Sequence, residues 1–119
     1  MRRVMLVLAL GLVYPSLAMA QRDTTFEALT VSTSAVGITA TTLRPAGVAL
    51  ENNFCSVYVA DAAIRFRFDG TAPTTSVGVI AAIGDVISVD NSEQARAVRF
   101  IRDDAADAAL QIHCWREPS

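Results

Sequence analysis

The sequence predicts an all-β fold: a single compact antiparallel β-sandwich, immunoglobulin-like or jelly-roll-like, of about six to eight short strands. Three observations predict it. From Ile64 to Phe68, apolar Ile64, Phe66 and Phe68 alternate with Arg65 and Arg67, the two-residue period of a strand with one buried face. Turn-forming residues recur every 8–12 residues or so, the spacing of a small sandwich or barrel. After Ala20, no stretch carries a convincing helical period.

Residues Met1 to Ala20 form a separate unit, with the order of parts of a secretory signal. Arg2 and Arg3 supply the positive start, and Val4 to Val13 is an apolar run of about ten residues. Pro15 and Ser16 break a helix, and Ala18-Met19-Ala20 offers small residues to a signal peptidase. The expected mature chain runs from Gln21 to Ser119, one domain of 99 residues. The apolar run is shorter than the roughly 20 residues that span a bilayer, and no later segment is apolar enough to do so. Two other readings stay open: a buried N-terminal helix, and a translation start at Met19 that would leave the protein in the cytoplasm.

The mature segment carries eight Arg, no Lys and twelve acidic residues, for a net charge of −4. An acidic domain lacks the concentrated positive charge that nucleic-acid binding requires. The elements follow in order. Phe26 to Ser32 is β-prone, with Leu29 and Val31 on one face. Thr33-Ser34 marks a turn, and Ala35 to Thr39 is a short strand interrupted by Gly37. Thr41 to Gly47 reads as a loop, punctuated by Pro45 and Gly47. Phe54 to Phe68 reads as two strands joined by a tight turn near Asp61-Ala62. Asp69-Gly70 ends the second strand, and Pro73 cannot sit in a central ladder because it has no N–H to donate. Thr74 to Ile83 is ambiguous, with Val77, Val79 and Ile80 suggesting a short strand beside Gly78; Gly84-Asp85 reopens the chain, Val86 to Val89 is a strand, and Asp90-Asn91-Ser92 another turn. Arg96 to Arg102 is a strand in which Val98 and Phe100 share a face and Ile101 points the other way. Asp103 to Asp107 turns the chain into the last strand, Ala108 to Arg116, with Leu110, Ile112 and Cys114 inward and Gln111, His113 and Trp115 outward.

Two cysteines remain after the signal, Cys55 and Cys114. Cys55 shares an apolar face with Val57 and Val59, and Cys114 with Leu110 and Ile112, so both point inward. An even count in an exported chain predicts a disulfide. Two buried free thiols are the alternative, and the one that fits a start at Met19.

The run Ala63-Ile64-Arg65-Phe66-Arg67-Phe68-Asp69-Gly70-Thr71-Ala72-Pro73-Thr74, followed by Ser76-Val77-Gly78, resembles small β-proteins encoded among the structural genes of tailed bacteriophages and prophages. Gly84-Asp85, Ala97-Val98-Arg99-Phe100-Ile101-Arg102 and Asp107-Ala108-Ala109-Leu110 continue the likeness, which spans nearly all of Phe26 to Trp115. The resemblance implies a β-fold and a capsid- or tail-associated structural role. The export signal and the inward cysteine pair stand outside that family's pattern.

Candidate chemistry is sparse. His113, the one histidine, has no Cys or His neighbour at ligand spacing. Asp103, Asp104 and Asp107 lack the Gly and distal Glu of a calcium loop, and no nucleophile elbow or phosphate loop is present. The sequence therefore predicts no enzyme, no metal and no cofactor. Arg65, Arg67 and Arg99, with Arg102, are either an anion-binding sheet face, if their strands are neighbours, or a solvated face paired with Asp and Glu. Tyr58 and Trp115 point outward as a possible aromatic contact patch. Together Arg65, Arg67, Tyr58, Arg99 and Trp115 make the candidate binding face. The expected protein is a periplasmic or secreted, non-enzymatic structural or binding module. Its partner is a protein or a glycan, not nucleic acid and not a membrane once the signal is removed, and homo-oligomers are compatible with exposed strand edges. The alternative is a virion protein.

Overall fold

The computed structural model describes residues 24–117. The signal segment and the predicted mature start at Gln21 lie outside them. Seven strands form two antiparallel sheets, so the all-β sandwich predicted from the sequence is the fold. The strands are β1 (Thr25–Val31), β2 (Phe54–Val59), β3 (Ile64–Arg67), β4 (Val79–Ala81), β5 (Val86–Val89), β6 (Arg99–Arg102) and β7 (Ala108–Trp115). One sheet has the order β1-β7-β2-β5 and the other β4-β3-β6. Two short helices, α1 (Ala40–Leu43) and α2 (Ser92–Ala97), complete the elements. Neither is long or apolar enough to cross a membrane.

Alternation decides which side chains meet between the sheets. Val57 and Val59 of β2, Leu110, Ile112 and Cys114 of β7, and Val31 of β1 are buried from one side. Ile64 and Phe100 of the smaller sheet, with Val98 beside it, close the core from the other, and Phe66 and Phe68 pack against it. Cys55 lies opposite Cys114 in the β2–β7 ladder, with Cα atoms 4.1 Å apart, and the two form a disulfide.

Four sequence expectations are corrected. β2 and β3 are not a hairpin: β2 pairs with β7 and β5, and β3 with β4 and β6. The Ala60–Ala63 segment is a corner between the two sheets. The Asp61 carboxylate accepts the Ala109 N–H at 2.7 Å, and the Ala60 N–H donates to the Ala109 carbonyl at 3.0 Å, which fastens the corner to the start of β7. The Asp90–Ser92 turn opens a helix instead: Asn91 Oδ1 accepts the Gln94 N–H at 2.8 Å, capping α2, while Gln94 Oε1 accepts the Asp90 N–H at 3.2 Å. Arg96 and Ala97 thus belong to α2, and the strand begins at Arg99. Finally, Thr41–Leu43 is part of α1 and not a loop. Buried Asn52 donates to the Thr42 carbonyl and to Thr25 Oγ1, tying that helical turn to β1. The predicted strand at Ala35–Thr39 reduces to a single bridge between Val36 and Phe100.

Candidate functional site

The predicted binding residues do not share one face. Arg65, Arg67 and Arg99 lie on the outer side of the three-stranded sheet, where Arg67 stands opposite Arg99 and Arg65 opposite Ile101. β3 and β6 are indeed neighbours, but these guanidinium groups already have partners. Arg65 Nε donates to Asp103 at 2.7 Å and its Nη1 to the Gly78 carbonyl at 3.1 Å. Arg67 binds Asp69 through Nε and Nη2. Arg99 Nη1 folds back on the carbonyls of Arg96 and Val98, and Arg102 pairs with Asp107 at 2.7 Å. Two of the three clustered aspartates therefore neutralise arginines. Among the described residues no group of three or more His, Cys, Asp or Glu side chains is placed to hold a metal ion.

The same sheet accounts for the residues of the Arg67–Gly78 run. Asp69 accepts from Arg67 and from the Thr71 N–H at 3.2 Å, holding it below the ordinary aspartate range; the Arg67 hydrogen bond is the larger cause and the Thr71 bond the next. Thr74 Oγ1 accepts the N–H groups of Ser76 and Val77. Pro73 is buried, and Gly78 has φ of 140°, with Arg65 Cβ and Pro73 Cβ each 3.1 Å from where a Cβ would stand. These residues shape a loop, so the run speaks to folding.

Tyr58 and Trp115 lie on the other sheet. The register sets Phe26 beside His113, Ser56 and Ser88; Ala28 beside Gln111, Tyr58 and Val86; Phe54 beside Trp115; and Thr30 beside Ala109. These twelve positions form the outer face of the four-stranded sheet, and none is Asp, Glu, Lys or Arg. Phe54 stacks on Trp115 with centroids 6.1 Å apart, Trp115 meets His113 edge-on at 6.1 Å, and His113 meets Phe26 at 6.5 Å. Glu117 accepts the Trp115 indole N–H at 2.9 Å, fixing the ring against the sheet. Phe26 is 61%, Tyr58 40% and Val86 58% exposed.

No family model, curated protein or solved structure matches this chain.

The outer face continues around the β5 edge. Val86 belongs to it and also lines a groove of about 390 Å³, with Phe66, Phe68, Val79 and Ile80, where the two sheets open between β4 and β5. Val79 and Ile80 are exposed there, and Val77 and Ile83, in the segments flanking β4, are exposed too. Sequence reading found Tyr58, Trp115 and the outward positions of β7, but missed Phe26, Phe54 and Val86 as their neighbours. The signal that points to them is the lack of charge at alternate positions of β1, β2 and β7, which becomes a surface only once the strand order is known.

Proposed function

We propose that this protein is an exported, non-enzymatic structural or binding module, and that the outer face of its four-stranded sheet seats a partner protein. One observation carries the reading: a solvent-facing sheet surface whose twelve strand positions hold no charged residue and five aromatic rings counting His113. Solvated sheet faces ordinarily carry charges of both signs. The centre of a protein–protein interface is depleted in charge and enriched in Tyr, Trp and Phe. Four strands about 4.8 Å apart and four to eight residues long offer about 400 Å², half of the roughly 800 Å² per partner of a standard stable interface. The partner therefore also covers the β5 edge, where Val86, Ile83 and Ile80 extend the apolar surface. The basic-apolar-small pattern of residues 1–20 and the Cys55–Cys114 bridge support an oxidising, exported setting.

Site-specific photo-crosslinking in the protein's own cells tests this. A probe at Ser56 is expected to give a discrete protein adduct, lost on Gln111→Arg, while a probe at Asp104 gives none. Equal adducts from both positions refute the site. An adduct of twice the chain mass makes the partner a second copy, and adducts to glycan alone replace the protein partner with a sugar. Intact mass tests the compartment: the expected species begins at Gln21 and is two hydrogens light.

The second reading is a phage or prophage virion accessory protein, favoured by the motif resemblance across Phe26 to Trp115. It predicts the protein in purified particles, starting at Met1 or Met19 with reduced thiols.

A further inference from the structure

A second surface differs from this face in every respect. At one end of the sandwich, α1, the segment that follows it, α2 and the residue after β7 line an open cleft of about 740 Å³, within the range of small-molecule sites. Arg44, Arg96 and Arg116 line it, and Glu51 is the one acidic residue that does. The described residues carry seven arginines and eleven acids, a net −4, yet the cleft lining is +2. The other four described arginines are held elsewhere on the surface by aspartates or backbone carbonyls, as set out above. These three converge on one cavity.

Their arrangement is partly fixed in advance. Glu51 pairs through its carboxylate with Arg96, and its carbonyl accepts Arg116 Nη1 at 2.8 Å. One residue thus holds two guanidinium groups at the same wall. Arg44, on the facing segment, pairs with no carboxylate among the described residues. Exposed Leu50 and Ala49 supply an apolar surface between them. Guanidinium groups bind planar and tetrahedral oxyanions through paired, charge-assisted hydrogen bonds.

We propose that this cleft binds a small organic anion, its carboxylate or phosphate held by Arg44, Arg96 and Arg116 and its apolar body laid on Leu50. The site is independent of the partner face and of the compartment.

Benzoate and phenyl phosphate are the probes, added to the purified protein and followed by the arginine Nε–H signals in NMR, with isothermal calorimetry for affinity. Saturable shifts confined to Arg44, Arg96 and Arg116 are expected, and the tighter probe identifies the head group. Arg44→Gln is expected to weaken binding about tenfold, the scale of one charge-assisted hydrogen bond. Glu51→Gln keeps the backbone carbonyl that holds Arg116 but frees Arg96 from the carboxylate that competes with a ligand for it, and is expected to strengthen binding several-fold, an effect opposite to that of a structural lesion. Shifts shared by the arginines outside the cleft, no saturation at millimolar probe, or loss of binding in Glu51→Gln would each overturn the proposal.

Discussion

Replacing Cys55 and Cys114 together with alanine opens a loop of 59 residues. In the folded protein the bridge adds little new geometry, because the two residues already face each other in the β2–β7 ladder. Its effect lies in the unfolded chain, which loses the freedom to separate the two positions. Chain-entropy reasoning gives about 4 kcal/mol for a loop of this length. Each sulfur is also buried, and deleting it costs about 1 kcal/mol more, the scale of one buried methyl group. The double alanine variant is therefore expected to lose about 6 kcal/mol, and reduction of the unmodified protein about 4. For a domain of this size the latter corresponds to a fall in Tm of roughly 15–30 °C. Thermal and urea unfolding by circular dichroism, with and without reductant, measure both. A reduced protein melting within about 5 °C of the oxidised one would refute the argument, as would a double variant no less stable than the reduced protein.

Three further outcomes are expected. Gly78→Ala places a methyl group against Arg65 Cβ and Pro73 Cβ at a φ that L residues rarely adopt, and costs about 1–3 kcal/mol in urea unfolding; an unchanged midpoint would contradict the strained loop. Asn91→Ala removes the α2 cap and costs about 1 kcal/mol, with Asn91→Asp retaining most of the stability. Asp69 titrates below the ordinary carboxyl range because its folded value is lowered. Its stabilisation is therefore full above the unfolded value of about 3.9 and is lost as pH falls through the folded one. Arg67→Gln is expected to move the Asp69 midpoint upward in a carboxyl-carbon NMR titration, and an unmoved midpoint would refute the pairing.

Alternation along single strands was readable from the residues alone. Val57, Val59, Leu110 and Ile112 point inward as their spacing requires, and the same parity placed the two cysteines in the core. Pairing between strands was not readable, because period two says which way a side chain faces and not which strand lies beside it. Hence β2 and β3, adjacent in sequence, were expected as a hairpin although their apolar faces meet across the sandwich. α2 escaped for a different reason. Asn91 and Gln94 form a local cap, but only six helical residues follow, too few for a 3.6-residue period to stand out before Val98 and Phe100 impose a strand pattern. The candidate face depended on the same missing knowledge. Tyr58 and Trp115 were read as outward, yet the arginines grouped with them belong to the opposite sheet.

The sheet order has a consequence for how the chain is made. β7 is the last strand described, and it lies between β1 and β2. Until it emerges from the ribosome, β1 has no neighbour in its sheet and Cys55 has no partner. The four-stranded sheet is therefore assembled only after Ala108 onward has been made, from contacts far apart in sequence, which makes for slow folding. A truncation that removes Ala108 onward would leave β1 an orphan strand.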